Sequence, residues 1–363
     1  MRTETLIGGD AELDELCGAV ASADIVAIDT EFVRERTYYP QLCLVQVATE
    51  SLVACVDCLA DIELSRLFEA LARPDLVWAL HSGRQDLEVI RQRAGILPRR
   101  LIDTQIAAAL AGHGAQTGLQ EMLAAVLGVD IGKGYTRTDW SARPLPEGAI
   151  RYAFDDVRYL LPLLRRLEAQ LAALGRVEWA AEDSARLLAE AARDDLLPIW
   201  ARLKGVHNLA EDQRAAALVL VKWRERAAQR LDRPRRWIMS DELLARIAQA
   251  RPRTRTQLAA IPDMPRRLAQ RSGDEILAAL AARDSADVAE ELRRLAPTER
   301  PDREALKALQ ARVKERALEL GILPEVLASR RELAAWLGGA PPAPLVSGWR
   351  AAVLEPVLGP ATK

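Results

Sequence analysis

Short apolar runs of strand length crowd the stretch from Ile25 to Thr104, and from Pro198 onward none can be found. A chain patterned this way is expected to divide into an α/β half followed by an all-helical half. Ile25-Val-Ala-Ile-Asp29-Thr-Glu31-Phe, Leu42-Cys-Leu-Val-Gln-Val47 and Leu52-Val-Ala-Cys-Val56 are three close-set strands, the pattern of a meander. Leu76-Val-Trp-Ala-Leu80 and Leu101-Ile-Asp-Thr104 then alternate with helices. Ser82-Gly-Arg-Gln85 and Thr117-Gly-Leu-Gln120 have the spacing of capping boxes, and the second helix is expected to stop at Gly128. Pro146 and Glu147 open a long helix through Tyr152 and Asp156, which Pro162 is expected to kink. The sum is a mixed sheet flanked by helices. Beyond it, Arg233-Pro234, Arg251-Pro252, Ile261-Pro262 and Ala296-Pro297 separate helical stretches, and Gly338 to Pro344 reads as a loop. The expected division is 1–197, 198–296 and 297–363.

With 363 residues the chain exceeds one ordinary core, which agrees with several domains. Hydrophobic residues make up 50% and charged residues 28%, and no apolar run approaches the roughly 18 residues that cross a bilayer. No membrane role is expected. Asp10 and Glu12 interrupt the start, so a secretory signal is not expected either and the protein is placed in the cytoplasm. Cys17, Cys43, Cys55 and Cys58 are too few for a disulfide scaffold in a chain this long, and Cys55-Val-Asp-Cys58 has no second ligand pair to make a zinc site. The net charge of -2 argues against electrostatic coating of nucleic acid. Lys222 to Arg255, however, holds eleven basic and four acidic residues, a local +7. This is either a solvated helix face or a phosphate-contacting surface.

Asp29 and Glu31 are two apart on an apolar strand, so alternation points both carboxylates from one face. Two like charges side by side are costly to bury unless cations neutralise them, and hard oxygen donors suit Mg²⁺ or Mn²⁺. The plain alternative is a strand end whose acids face water. Asp86 adds weight, because it falls in the first turns of the helix after a neighbouring strand, where α/β sheets place ligand sites. Tyr152 and Asp156, at i and i+4, put a phenol beside a carboxylate on one helix face. Such a set suits two-metal hydrolysis of a phosphodiester, with the phenol orienting the attacking water. Only His81, His113 and His207 are present, and no Walker A, G-x-S-x-G or G-x-G-x-x-G motif points to another chemistry or to an organic cofactor.

Three segments resemble the exonuclease motifs of the DEDD superfamily: Ile28-Asp-Thr-Glu-Phe-Val33, His81-Ser-Gly-Arg-Gln-Asp-Leu87 and Tyr152-Ala-Phe-Asp-Asp-Val157. Tyr152, four before Asp156, is similar to the tyrosine branch. The ribonuclease D family is resembled further at Arg34-Glu-Arg-Thr-Tyr-Tyr-Pro-Gln-Leu42, Leu101-Ile-Asp-Thr-Gln105, Arg137-Thr-Asp-Trp140, Ala142-Arg-Pro-Leu145 and Tyr159-Leu-Leu-Pro162. Ala210 to Leu280 resembles the helicase-and-RNase-D C-terminal (HRDC) domain, and Leu327-Ala-Ser-Arg-Arg331 with Ser347-Gly-Trp-Arg350 is similar to the end of family chains. The resemblance implies an RNase H-like exonuclease core followed by helical HRDC-type domains, the last being 297–363. It implies that Asp29, Glu31, Asp86 and Asp156 bind two divalent ions while Tyr152 positions water, in a 3′→5′ exoribonuclease that releases nucleoside 5′-monophosphates and trims tRNA precursors. Asp155 departs from the usual small residue there and is expected to be exposed.

A single-stranded 3′ end in an acidic site needs stacking faces and phosphate contacts nearby. Phe32, Lys133, Arg137 and Trp140 are the candidates for these. Phe32 by alternation points to the other strand face, where core packing competes with stacking, and the other three occupy a polar loop before the Tyr152 helix. RNA is the expected partner, and a monomer is expected. A 3′→5′ DNA exonuclease and a non-catalytic nucleic-acid scaffold are the rival readings.

Overall fold

The computed structural model describes residues 3–359 apart from 133, 136–137, 194–196, 204–205, 207–208 and 296–300. The chain forms two compact units, one of Met1–Val33, Gln41–Arg193 and Thr298–Lys363, the other of Arg34–Pro40 and Asp194–Pro297.

In the first unit, β1 (Thr3–Ile7), α1 (Asp10–Ala21), β2 (Ile25–Val33), β3 (Gln41–Ala48), β4 (Leu52–Asp57), α2 (Ser65–Leu71), β5 (Val77–Leu80), α3 (Arg84–Ala94) and β6 (Arg100–Asp103) build one sheet and the helices on one of its sides. The strand order is β1-β4-β3-β2-β5-β6. The β2–β3 and β3–β4 pairs are antiparallel, and the rest are parallel. The sheet is therefore mixed, as the sequence pattern implies. Strand β1 escapes sequence reading because it is an edge strand in which only Ile7 is buried, so no alternating stripe announces it.

Helices α4 (Thr104–Ala111), α5 (Leu119–Leu127), α6 (Glu147–Arg158), α7 (Leu160–Ala173) and α8 (Val177–Ala191) follow in the same unit. Both expected capping boxes are absent. Ser82 has φ 58° and lies outside helix α3, and the Ser82 and Gly83 amides donate to the Asp103 carboxylate at 3.2 and 2.9 Å. The same carboxylate accepts from the Gln105 and Ile106 amides, so one buried acid caps α4 and fixes the entry to α3. Thr117 Oγ1 donates backward to the His113 carbonyl at 2.6 Å, and the N-cap of α5 is Gly118, which has no side chain to offer. Gly128, at φ 68°, ends α5 as expected. Pro162 kinks nothing: the helix breaks at Tyr159, and Pro162 sits in the first turn of α7, where a missing N–H leaves no bond unmade.

The second unit holds α9 (Leu197–Arg202), α10 (Glu211–Leu231), α11 (Arg235–Ile238), α12 (Asp241–Ala250), α13 (Arg255–Ala259), α14 (Arg266–Ala281) and α15 (Ala286–Leu295), packed around α10 on a core of Leu218, Leu220, Leu244, Ile247 and Ile276. Seven of the eleven basic residues between Lys222 and Arg255 pair with acids of the unit: Lys222 with Glu291, Arg224 with Asp241, Arg230 with Glu275, Arg235 with Glu225, Arg246 with Asp263, Arg251 with Asp212 and Arg255 with Asp274. Most of the local +7 is thus answered by carboxylates outside the stretch. Arg226, Arg233, Arg236 and Arg253 are exposed and have no ion pair with a described residue.

The chain then returns to the first unit as α16 (Arg303–Leu320), α17 (Pro324–Leu327), α18 (Arg330–Leu337), α19 (Ala343–Val346) and α20 (Gly348–Leu358). Leu309, Val313, Trp349 and Leu354 share one buried cluster with α4, α6 and α7. Arg350 clasps the buried Asp183 of α8 with two nitrogens, and Trp349 Nε1 donates to the same carboxylate at 3.2 Å. The expected loop at Gly338 to Pro344 ends in the single turn α19.

Candidate active site

Strand β2 alternates cleanly. Val26 and Ile28 enter the core beneath α1–α3, while Ala27, and by the same alternation Asp29 and Glu31, face the side covered by α6. Helix α6 packs across β2, β3 and β4 and brings Asp156 to that face. One oxygen from each of Asp29, Glu31 and Asp156 lies within 4.8 Å of the others. Three residues far apart in the chain are thereby gathered into one group.

Asp86 stands beside this group without joining it at that distance. It is buried at the start of α3, and Thr30, the residue between the two strand acids, donates from Oγ1 to Asp86 Oδ1 at 2.5 Å. Tyr152, one turn before Asp156, sets its phenol beside that carboxylate. Its ring lies 6.3 Å from Trp140 and 6.4 Å from Tyr135, centroid to centroid. The Tyr135 ring lies over Gly148, and a Cβ at that position would displace it.

The crowding governs the acid strengths. Burial, then Asp86, Asp156 and Glu31, push the Asp29 carboxyl well above its ordinary range. Burial and the same kind of neighbour raise Glu31 to about 8. Burial raises Asp156 to about 7 and Asp86 to about 6, even though the Tyr152 phenol beside the first and the Thr30 hydroxyl bonded to the second oppose the rise. Burial, then Asp156, also holds the Tyr152 phenol above its usual range, so it stays protonated at neutral pH. No described cation pairs with the four acids. Asp156 Oδ2 is buried with no hydrogen-bond donor among the described residues. Hard, crowded carboxylate oxygens, one of them orphaned, fit a divalent cation.

The remaining expected residues fall elsewhere. Phe32 follows a register shift in β2 and packs against the core on the opposite side of the sheet. Trp140 is only 3% exposed, in the core behind Tyr152. Lys133 and Arg137 lie outside the described residues. Asp155 is half-buried and accepts from Arg158 Nη1 at 2.6 Å, where an exposed side chain was expected. Two residues escape sequence reading altogether. Thr30 reaches Asp86 across 56 positions of chain, and Tyr135, 36% exposed beside Tyr152, is the accessible ring of the loop in place of Trp140. His81 bonds Thr104 Oγ1 at 2.9 Å and the Thr117 carbonyl at 3.1 Å, so it anchors α4 and the α4–α5 loop rather than the acids.

Comparison with known proteins gives the class first: residues 5–172 match the family model for 3′-5′ exonuclease, and residues 213–280 match that for the HRDC domain. The chain is 38% identical to the ribonuclease D of Xanthomonas oryzae pv. oryzae over 341 residues, 92% of each chain. It is 36% identical to the ribonuclease D of Granulibacter bethesdensis over 95% of this chain and 89% of that one. Its fold matches the crystal structure of Escherichia coli RNase D, described as an exoribonuclease involved in structured RNA processing, with TM-score 0.81 and 31% identity over 98% of this chain and 97% of that one. The chain belongs to the ribonuclease D family, and its activity is that of a hydrolytic 3′→5′ exoribonuclease.

Proposed function

We propose that Asp29, Glu31, Asp86 and Asp156 hold two divalent ions, Mg²⁺ or Mn²⁺, at which the 3′-terminal phosphodiester of RNA is hydrolysed to a nucleoside 5′-monophosphate. The orphaned Asp156 Oδ2, set among carboxylates with no described cation beside them, carries this reading. Bound ions would stabilise the attacking and leaving oxygens of an in-line displacement. The residues of the chain do the rest. Tyr152, kept neutral, orients the attacking water by hydrogen bonding and does not act as a base. Trp140 backs Tyr152, and Tyr135 presents an accessible ring to the last base, where stacking serves every base alike. Thr30 fixes the direction of the Asp86 carboxylate.

The substrates we propose are RNAs with accessible 3′ ends, tRNA precursors among them, handled in the cytoplasm by a monomer. No helix among the described residues is long and apolar enough to cross a membrane. The 198–296 region is read as an HRDC module that adds phosphate contacts upstream of the cut, through exposed arginines such as Arg233 and Arg236, and 297–363 as a second, HRDC-like module. The experiment is a time course of the purified full chain on 5′-labelled RNA and DNA of one sequence, with Mg²⁺, with Mn²⁺ and with chelator. A metal-dependent, one-nucleotide RNA ladder is expected. Retention of RNA without cleavage under every metal condition would overturn the proposal.

A further inference from the structure

Gln46 is the one polar residue inside the buried run Leu42–Ala48 of β3, and its exposure is 0%. Neither end of its amide, Nε2 or Oε1, has a hydrogen-bond partner among the described residues. Burying an amide unmet is destabilising, and its neighbours Leu44 and Ala48 on the same face are apolar. A methionine or leucine would fill that place without the penalty. The amide is therefore kept for something other than packing.

Register says what that is. Gln46 is the direct cross-strand partner of Asp29 on β2, and on its other side it faces Cys55 on β4. Side chains of directly paired residues leave the sheet on the same face, with Cβ atoms about 4.5–5.5 Å apart. Gln46 thus stands on the α6 side of the sheet, in the row that carries Asp29 and beneath the helix that carries Asp156. Both the Gln46 amide and Asp156 Oδ2 are buried and unmet on this face. A glutamine arm is long enough to reach the Asp29 carboxylate by turning about its own torsions, and its N–H₂ is a donor, whereas the site carboxylates, when ionised, offer only acceptors.

We infer that Gln46 is a positioning residue of the exonuclease site, its amide steering the Asp29 carboxylate, across the β2–β3 pair, into line for a cation. The inference rests on the reading of the acid cluster as a cation site. It assigns no metal ligation to Gln46 itself. Groups that hold metal ligands in place typically govern metal affinity or activity by about 10–100-fold.

The test is Gln46→Met in the full chain, with Gln46→Leu as a second apolar variant, read by thermal unfolding and by Mn²⁺ titration calorimetry as well as by RNA hydrolysis. The expected result is a crossed one. Metal-free melting temperature rises by about 2–4 °C, because an unmet amide has gone. Mn²⁺ affinity and kcat each fall by about tenfold or more, with KM for RNA little changed. A purely structural glutamine gives the reverse, a lower metal-free melting temperature with Mn²⁺ affinity intact, and that result overturns the inference; so does any variant that binds Mn²⁺ as tightly as the parent. Asp29→Ala run in parallel separates the two readings. If it binds Mn²⁺ undiminished, the acid cluster is not the cation site; if it loses Mn²⁺ while Gln46→Met does not, only the role of Gln46 fails.

Discussion

In the first unit Asp29, Glu31 and Asp156 gather in one group with Asp86 beside it and no described cation to answer them, whereas in the second unit Arg224, Arg235 and Arg255 each meet a carboxylate. The overall balance follows the same division. The second unit carries 22 basic and 16 acidic residues, a net +6, which leaves 28 basic and 36 acidic for the first, a net -8. Charge of one sign left uncompensated in a buried place is destabilising to the fold and waits for a ligand. Charge met inside the chain belongs to the architecture. Asp183 makes the contrast within the first unit itself, since it is as buried as the site acids but is clasped by Arg350, with Arg186 also near.

Breaking the uncompensated set should have the largest effect. Asp29→Ala or Asp156→Asn is expected to lower kcat by roughly three orders of magnitude or more and to leave RNA affinity nearly unchanged, measured by turnover and by fluorescence anisotropy; activity within tenfold of the parent would undo the assignment. Breaking the compensated acid should act on stability instead. Arg350→Ala is expected to lower unfolding free energy by about 3 kcal/mol, the low end for a buried pair because Arg186 remains near Asp183, with kcat of the folded fraction retained in denaturant titrations.

Between these lies Thr30. Thr30→Val removes the hydroxyl held 2.5 Å from Asp86 at nearly constant volume. It should cost roughly 10–100-fold in kcat and raise the metal concentration needed for half-maximal rate, and Thr30→Ser should restore both. If serine does no better than valine, the hydrogen bond is not what matters.

The pH dependence of the metal-free chain sharpens the comparison further. The site carboxyls stand above their unfolded values near ~4, with Asp86 at about 6, Asp156 at about 7 and Glu31 at about 8. Their protonated forms favour the fold, so that stability is complete below pH ~4 and is lost as pH rises through 6 to 8. Melting temperature without metal should therefore fall between pH 5 and 8.5, and saturating Mg²⁺ should flatten the fall. The smallest effect belongs to the exposed pairs of the second unit. Arg230→Ala, which removes an ion pair with Glu275 that is about half exposed at each end, should change stability by less than about 1 kcal/mol in chemical denaturation.

Local periodicity carried much of this into the sequence. Alternation alone puts Asp29 and Glu31 on one strand face, and the i, i+4 step alone puts Tyr152 beside Asp156, because both follow from backbone geometry within a few residues. Gln46 was legible only as a polar interruption in an apolar run, and its partner could not be read, since register between strands is set by the whole sheet. Trp140 looked like a loop aromatic in a polar segment, and its burial came from helices whose packing no short window contains. Asp103 reads as strand end and first cap of α4, but its grip on Ser82 and Gly83, which replaces a well-spaced capping box, depends on β5 and β6 lying side by side.

The sequence by itself determined the division into sheet and helices, the four acids with their tyrosine, and the chemistry those residue types can support. Tertiary structure alone decided which acid Thr30 holds, which basic residues are already answered, and that the last helices of the chain complete the core of the first unit. The physical reason is distance: propensity and periodicity act over one or two turns or strands, while hydrogen bonds and ion pairs between residues 56 or 167 positions apart exist only once the chain has closed on itself.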